Sequence, residues 1–215
     1  MQPETTLSEE TLFQGKLLKL SLRQIQLSNG QTTQREIVTT RGAVVIVALT
    51  DQHEVRLVKQ FRAGVEDWII ELPAGTLESG ENPDEAAPRE LLEETGDQAA
   101  NWHRLGGFYS APGILTEYLH CYLATGLTPG PNQLEFDEHI EVLTVPQAGL
   151  SPCLSRGEIE DKTIAGLVRA HLGLMGHKGK DRRVEQCPTP TMAITRRPLK
   201  TILCFGDSIP GDMSR

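Results

Sequence analysis

Residues 71–96 read ELPAGTLESGENPDEAAPRELLEETG, and this stretch decides the fold. Its fixed points are Gly75, Glu81, Arg89-Glu90-Leu91, Glu93-Glu94 and Gly96. Asn82-Pro83-Asp84-Glu85 has the composition of a helix start. Asn82 can cap, Pro83 suits the first helical position, and Glu85 can close a capping box. Gly96 is a natural stop. Glu90 and Glu94, four residues apart, project from one face a turn apart. Arg89 and Glu93 pair on the neighbouring stripe. Two carboxylates on one stripe repel each other unless a cation sits between them. Hard oxygen donors suit Mg²⁺, which binds through one or two carboxylates plus substrate phosphates. The competing reading is a solvated acidic helix face, but the number of residues at set offsets favours the first. Pro88 removes the helical bond to the Asp84 carbonyl, at a cost of about 3 kcal/mol. A local distortion is therefore expected just before Arg89.

Composition sets the wider limits. At 215 residues the chain has the length of one domain with an appendage and can bury its own core. A net charge of -8 argues against nonspecific nucleic-acid binding. The charge is uneven: from Met175 onward eight Lys/Arg stand against four Asp/Glu, so the acidic excess lies in the first 174 residues. No apolar run is long enough to span a membrane, and the polar, acidic N-terminus does not read as a signal peptide. Cys121, Cys153, Cys187 and Cys204 fit no metal spacing and read as reduced thiols, which points to the cytoplasm.

Outward from the opening stretch, the chain reads as strands before it and strands then a helix after it. Residues 1–11 are expected to fray. Thr11–Leu20 and Leu22–Leu27 alternate as strands, Ser28-Asn29-Gly30 turns a hairpin, and Gln34–Thr39 returns. Gly42–Thr50 is a near-continuous apolar run, hence a strand buried on both faces. Val55–Phe61 and Trp68–Leu72 follow as strands, with His53 in a plain exposed turn between Thr50 and Val55. Trp102–Tyr109, Glu117–Ala124 and Ile140–Val145 are the later strands. Ser155–Leu172 has helical period, with Ile159, Ile164, Leu167, Val168 and Leu172 as its apolar stripe. Three segments are expected: 1–40, an antiparallel N-terminal sheet; 41–174, the main domain; 175–215, a basic linker and tail. The class is α+β, helices packed on a sheet.

The spacing of Gly75, Glu81, Arg89, Glu90, Glu93, Glu94 and Gly96 resembles the signature of the Nudix hydrolases. It departs from it at Asp97, where the family carries an aliphatic residue, so the packing of the helix exit is the point in question. The resemblance covers about residues 7–174. It implies an α/β/α sandwich with a mixed sheet, and Mg²⁺ (or Mn²⁺) held by Glu90, Glu94 and the Ala74 carbonyl. Pro112, sixteen residues after Gly96, resembles the ADP-ribose pyrophosphatase pattern. So do Gln60-Phe61-Arg62, Glu71–Gly75, Glu138–Val142 and Gly157–Thr163. That pattern implies hydrolysis of ADP-ribose or a related nucleoside diphosphate sugar to AMP and ribose 5-phosphate. It also implies an intertwined homodimer through the N-terminal sheet. The alternatives are another nucleoside diphosphate derivative, such as NADH or a dinucleoside polyphosphate, or a nucleotide-binding module without turnover.

The resemblance further implies that the general base comes from a loop after the signature. Glu138 is the best match, with Glu135 and Asp137 as rivals. Glu93 would ligate or orient, and Arg89 would fix the carboxylates. Glu81 would hold the loop through backbone N–H groups. Arg62 reads equally as a phosphate or ribose contact and as a strand-end charge. Phe61 and Trp68 could flank an adenine or belong to the core.

The tail is a different text. Residues 177–198 are basic and unpatterned, the composition of a linker. Lys200–Ser208, KTILCFGDS, resembles the first block of the GDSL (SGNH) esterases. A nucleophilic serine needs a base and an oxyanion hole. Seven residues after Ser208 supply neither, so no esterase activity is expected. Loss of p-nitrophenyl acetate hydrolysis in Ser208→Ala would contradict that.

Overall fold

The computed structural model describes residues 4–134, 136, 138–150 and 161–176. The expected linker, the GDSL-like segment, Glu135, Asp137 and the start of the last predicted helix lie outside them.

Strands β1 (Thr5–Gln14), β2 (Lys19–Gln26) and β3 (Thr32–Thr39) form a three-stranded antiparallel sheet in that order. The expected strand Thr11–Leu20 is wrong, and so is fraying through residue 11. The chain turns at Gly15–Leu18, where the Gly15 N–H reaches the Leu18 carbonyl at 2.9 Å, and β1 begins at Thr5. All ten β1 residues are exposed, so no inside-outside alternation marked the strand. Backbone pairing to β2 holds it, with Glu9 placed between Lys19 at 2.6 Å and Arg23 at 2.8 Å. The Ser28–Gly30 turn forms as read, with Gly30 at φ 83°.

β4 (Ala43–Leu49) is the axis of the main domain. Around it run β5 (Glu54–Arg62), β6 (Asp67–Glu71), β7 (Ala74–Thr76), α1 (Pro83–Thr95), β8 (Gln98–Tyr109), β9 (Tyr118–Thr128), β10 (Ile140–Pro146) and α2 (Asp161–Gly176). The strands make one mixed sheet, β10-β5-β4-β9-β8, with β6 on β5 and β7 on β4. β4 and β9 are parallel; the other pairs are antiparallel. β4 is buried on both faces, as its apolar run implies. Val44, Ile46 and Ala48 pack with Ala86, Ala87 and Leu91 of α1. Val45 and Val47 pack with Leu57, Leu72, Leu150 and Ala170 on the other face. The result is the expected α/β/α sandwich.

Two expectations about helices are corrected. α1 runs unbroken through Pro88. The turn that loses its bond is held from outside, because the Asp84 carboxylate accepts from the Tyr122 hydroxyl at 2.8 Å and from Arg104. Ala86 and Ala87, fully buried against the sheet, fix the same turn. In α2 Leu167 of the predicted stripe packs against the core, but Ile164 and Val168 do not. Ile164 and Val168 are 39% and 52% exposed, whereas Thr163, Gly166 and Ala170 face inward with Leu167 beside them. The helix lies too close to the sheet for large side chains: a Cβ on Gly166 would meet Leu72 Cδ1 at 2.7 Å. Ile159 and the side chain of Leu172 lie outside the described residues.

Candidate active site

The site is built on the buried face of α1. Asn82 caps the helix, its Oδ1 accepting the Asp84 N–H at 3.1 Å, and Gly96 ends it at φ 76°. The face turned to the sheet carries Ala86, Ala87, Glu90, Leu91, Glu94 and Thr95. Glu90 and Glu94 are therefore on the inner stripe, 9% and 3% exposed, and not on a solvated face. The short strand β7 lies against them. The Ala74 N–H donates to Glu94 Oε2 at 2.9 Å. Gly75 sits under the Glu90 carboxylate so closely that a Cβ there would fall 1.8 Å from Glu90 Cδ. Only glycine fits that position.

Two carboxylates with this little water are costly to ionise. Burial pushes Glu90 up to about 7 in spite of the Arg89 guanidinium beside it, with Glu93 and Glu138 adding to the rise. Burial likewise pushes Glu94 up to about 8; the Ala74 N–H offsets part of this, and Glu90 and Glu138 push it further. Glu138, from the loop before β10, is thus near enough to bear on both carboxylates, and Arg62 is a positive neighbour of Glu94. Among the described residues no three His, Cys, Asp or Glu side chains close a metal shell by themselves. Two buried carboxylates, with the backbone of Ala74 in β7 against one of them, are the start of an all-oxygen donor set that Mg²⁺ takes when substrate and water complete it. A divalent cation would also remove the cost of holding both carboxylates charged, so these residues fit it.

Arg89 organises the outer edge. It clamps Glu81 through Nε at 2.9 Å and Nη2 at 3.0 Å, and its Nη1 lies 2.8 Å from Glu93 Oε2 and 2.9 Å from Glu90 Oε1. This is more than a surface i,i+4 pair, because one fork joins three carboxylates. Glu81 also accepts the Glu78 N–H at 2.8 Å, the loop-holding bond expected of it. Asp97, the departure from the family pattern, is 2% exposed and accepts from Arg56 Nε at 2.8 Å. The helix exit is packed by an ion pair in place of an aliphatic side chain.

Of the remaining expected residues, Arg62 bears on the carboxylate stripe through its charge at Glu94. Phe61 and Trp68 face each other across β5 and β6 at 5.9 Å between ring centroids, both half-exposed, with Lys59 over the Trp68 ring. Pro112 is at the exposed tip of a loop whose flanking residues bond to β3 through Val38. Arg62 is engaged with Glu71 at 2.5 Å. Glu71 and Lys162 were given no role by the sequence reading. The signal for Glu71 was an acid closing the apolar strand Trp68–Leu72, where nothing but a buried partner could tolerate it.

The family model described as the NUDIX domain matches residues 39–164. The chain is 38% identical to the ADP-ribose pyrophosphatase of Bacillus subtilis (strain 168), over 75% of this chain and 89% of that protein. It is 35% identical to the ADP-ribose pyrophosphatase of Mycobacterium tuberculosis, over 89% and 95% respectively. It is 42% identical to the methanol dehydrogenase activator of Bacillus methanolicus, over 63% and 73%. A crystal structure of an ADP compounds hydrolase superposes at a TM-score of 0.74 with 26% identity, covering 82% of this chain and 97% of that one.

Proposed function

The chain belongs to the NUDIX domain family and is a Nudix hydrolase, and from that premise we propose that it cleaves the diphosphate of ADP-ribose or a related nucleoside diphosphate sugar. The observation that carries this reading is the buried Glu90–Glu94 stripe facing Ala74-Gly75, with the charge of Glu138 beside it. The names of the two pyrophosphatase relatives support the choice of substrate.

In this reading Glu90, Glu94 and the Ala74 carbonyl hold Mg²⁺, or Mn²⁺ in the same oxygen shell. When bound, the cation supplies the positive charge that offsets the repulsion between a diphosphate and its attacking water. Glu138 accepts the proton of that water as it adds to one phosphorus. The bridging P–O bond breaks, and AMP and ribose 5-phosphate leave with the elements of water shared between them. Arg89 keeps Glu90 and Glu93 in register. Arg62 contacts the diphosphate, Phe61 and Trp68 offer an aromatic surface to the base, and the Pro112 loop borders the sugar. A second copy of the chain joins through the N-terminal sheet, where Leu7, Leu12, Phe13 and Leu17 are half or more exposed.

The test is a specificity profile. kcat/KM is measured for ADP-ribose, GDP-mannose, NADH and a dinucleoside polyphosphate. The reading expects ADP-ribose to lead by at least about tenfold. A lead for any other compound replaces the substrate, and no turnover of all four restores the binding-module reading.

A further inference from the structure

Glu71 closes β6, three residues before Ala74, and is 4% exposed. Its Oε2 accepts from Arg62 Nε at 3.0 Å, Arg62 Nη2 at 2.5 Å and Gln60 Nε2 at 3.1 Å. Its Oε1 lies 2.9 Å from Lys162 Nζ, in the first turn of α2. Burial pushes this carboxyl up, but Lys162 and Arg62 outweigh it and hold it below the ordinary glutamate value. A buried ionic cluster of this kind is poor evidence of stability, since apolar residues of the same volume serve as well or better. What it does supply is geometry. The next residue is fixed too, because the Leu72 N–H donates to the fully buried Thr163 Oγ1 at 2.8 Å. Glu71 therefore cannot shift without moving α2.

The cluster is open on one side. The Arg62 side chain is 40% exposed where that of Glu71 is 5%. One edge of the guanidinium, Nε and Nη2, rests on one carboxylate oxygen, neither of these bonds to Glu71 uses Nη1, and the charge of the group reaches Glu94. A planar fork can be held from below and still bind an anion; a lysine ammonium cannot do both with fixed direction.

We propose that Glu71 is a positioning residue, a buried anchor that aims the Arg62 guanidinium at the diphosphate of the substrate and does not touch substrate itself. This rests on the diphosphate-hydrolase reading given above. The test is a four-member cycle of wild type, Glu71→Gln, Arg62→Ala and the double variant. KM and kcat are measured for ADP-ribose, and the Kd of inorganic pyrophosphate is measured by calorimetry in EDTA.

Glu71→Gln is expected to raise KM and the pyrophosphate Kd roughly tenfold, about 1.4 kcal/mol, and to change kcat less. In the Arg62→Ala background the same substitution is expected to add nothing, because the residue acts through Arg62. Lys162→Met separates lost aim from a loosened helix: it lowers Tm yet moves KM much less than Glu71→Gln does. The proposal is overturned by multiplying effects in the double variant, by equal rises in KM for Lys162→Met and Glu71→Gln, or by a wild type that does not bind pyrophosphate. A wild type inert toward ADP-ribose that still shows this pattern with pyrophosphate defeats the substrate reading and leaves the anchor in place.

Discussion

At the scale of single residues, Glu94 is charged only against resistance. Burial pushes its carboxyl up to about 8 in the folded chain, against an ordinary value of 4.5. A raised acid binds its proton more tightly in the native state, so stability is full below the ordinary value and falls as pH rises toward 8. Glu94→Gln removes that penalty. In EDTA at pH 8 the variant is expected to be more stable than wild type by roughly 4 kcal/mol, about 8–16 °C in Tm, with little difference at pH 4.5. A lower Tm at both pH values contradicts this. Glu138→Gln is expected to lower kcat by about 10²-fold or more with little change in KM; a near-normal kcat removes Glu138 from the mechanism. Gly75→Ala drives a Cβ into the Glu90 carboxylate and is expected to lower kcat at least tenfold, about 1.4 kcal/mol, with the fold kept by circular dichroism.

At the scale of elements, α1 was legible because its chemistry and its geometry share one spacing. Cap, stop and carboxylate pair all sit at fixed offsets from one another, and each formed as read. Pro88 misled because propensity counts the lost bond and cannot see the Tyr122 and Arg104 contacts that hold the turn. α2 misled for the opposite reason. Its large apolar residues form a clear stripe, yet close approach to Leu72 selects Gly166 and Ala170 for the buried side. Periodicity weighs hydrophobicity and not distance. β1 had no pattern to read at all, since its partners are backbone groups and the charges of Lys19 and Arg23. Asp97 was visible as an anomaly, but its partner Arg56 lies 41 positions away. Asp97→Ala strands that guanidinium and is expected to cost about 3 kcal/mol, read as a lower urea midpoint at unchanged m-value. An unmoved midpoint contradicts the pairing.

At the scale of the whole molecule, the sandwich places β4 between two helices with unequal tasks. α1 carries the acids, and α2, through Lys162 and Thr163, braces the end of β6 that leads into β7. The N-terminal sheet stands outside this arrangement and leaves Leu12 and Phe13 half-exposed, which a second copy would cover. If the proposed dimer forms through this sheet, Leu12→Asp with Phe13→Asp halves the mass seen by light scattering; a wild type of monomer mass, or a mass the variant leaves unchanged, contradicts that contact. The central claim is that the carboxylate stripe of α1 hydrolyses a nucleoside diphosphate sugar with a divalent cation. The most direct measurement is ion-pair chromatography of ADP-ribose incubated with wild type or Glu94→Gln, with Mg²⁺ and without. The account predicts AMP and ribose 5-phosphate from the wild type with Mg²⁺ alone. Equal AMP release by Glu94→Gln, or by the wild type in EDTA, would contradict it.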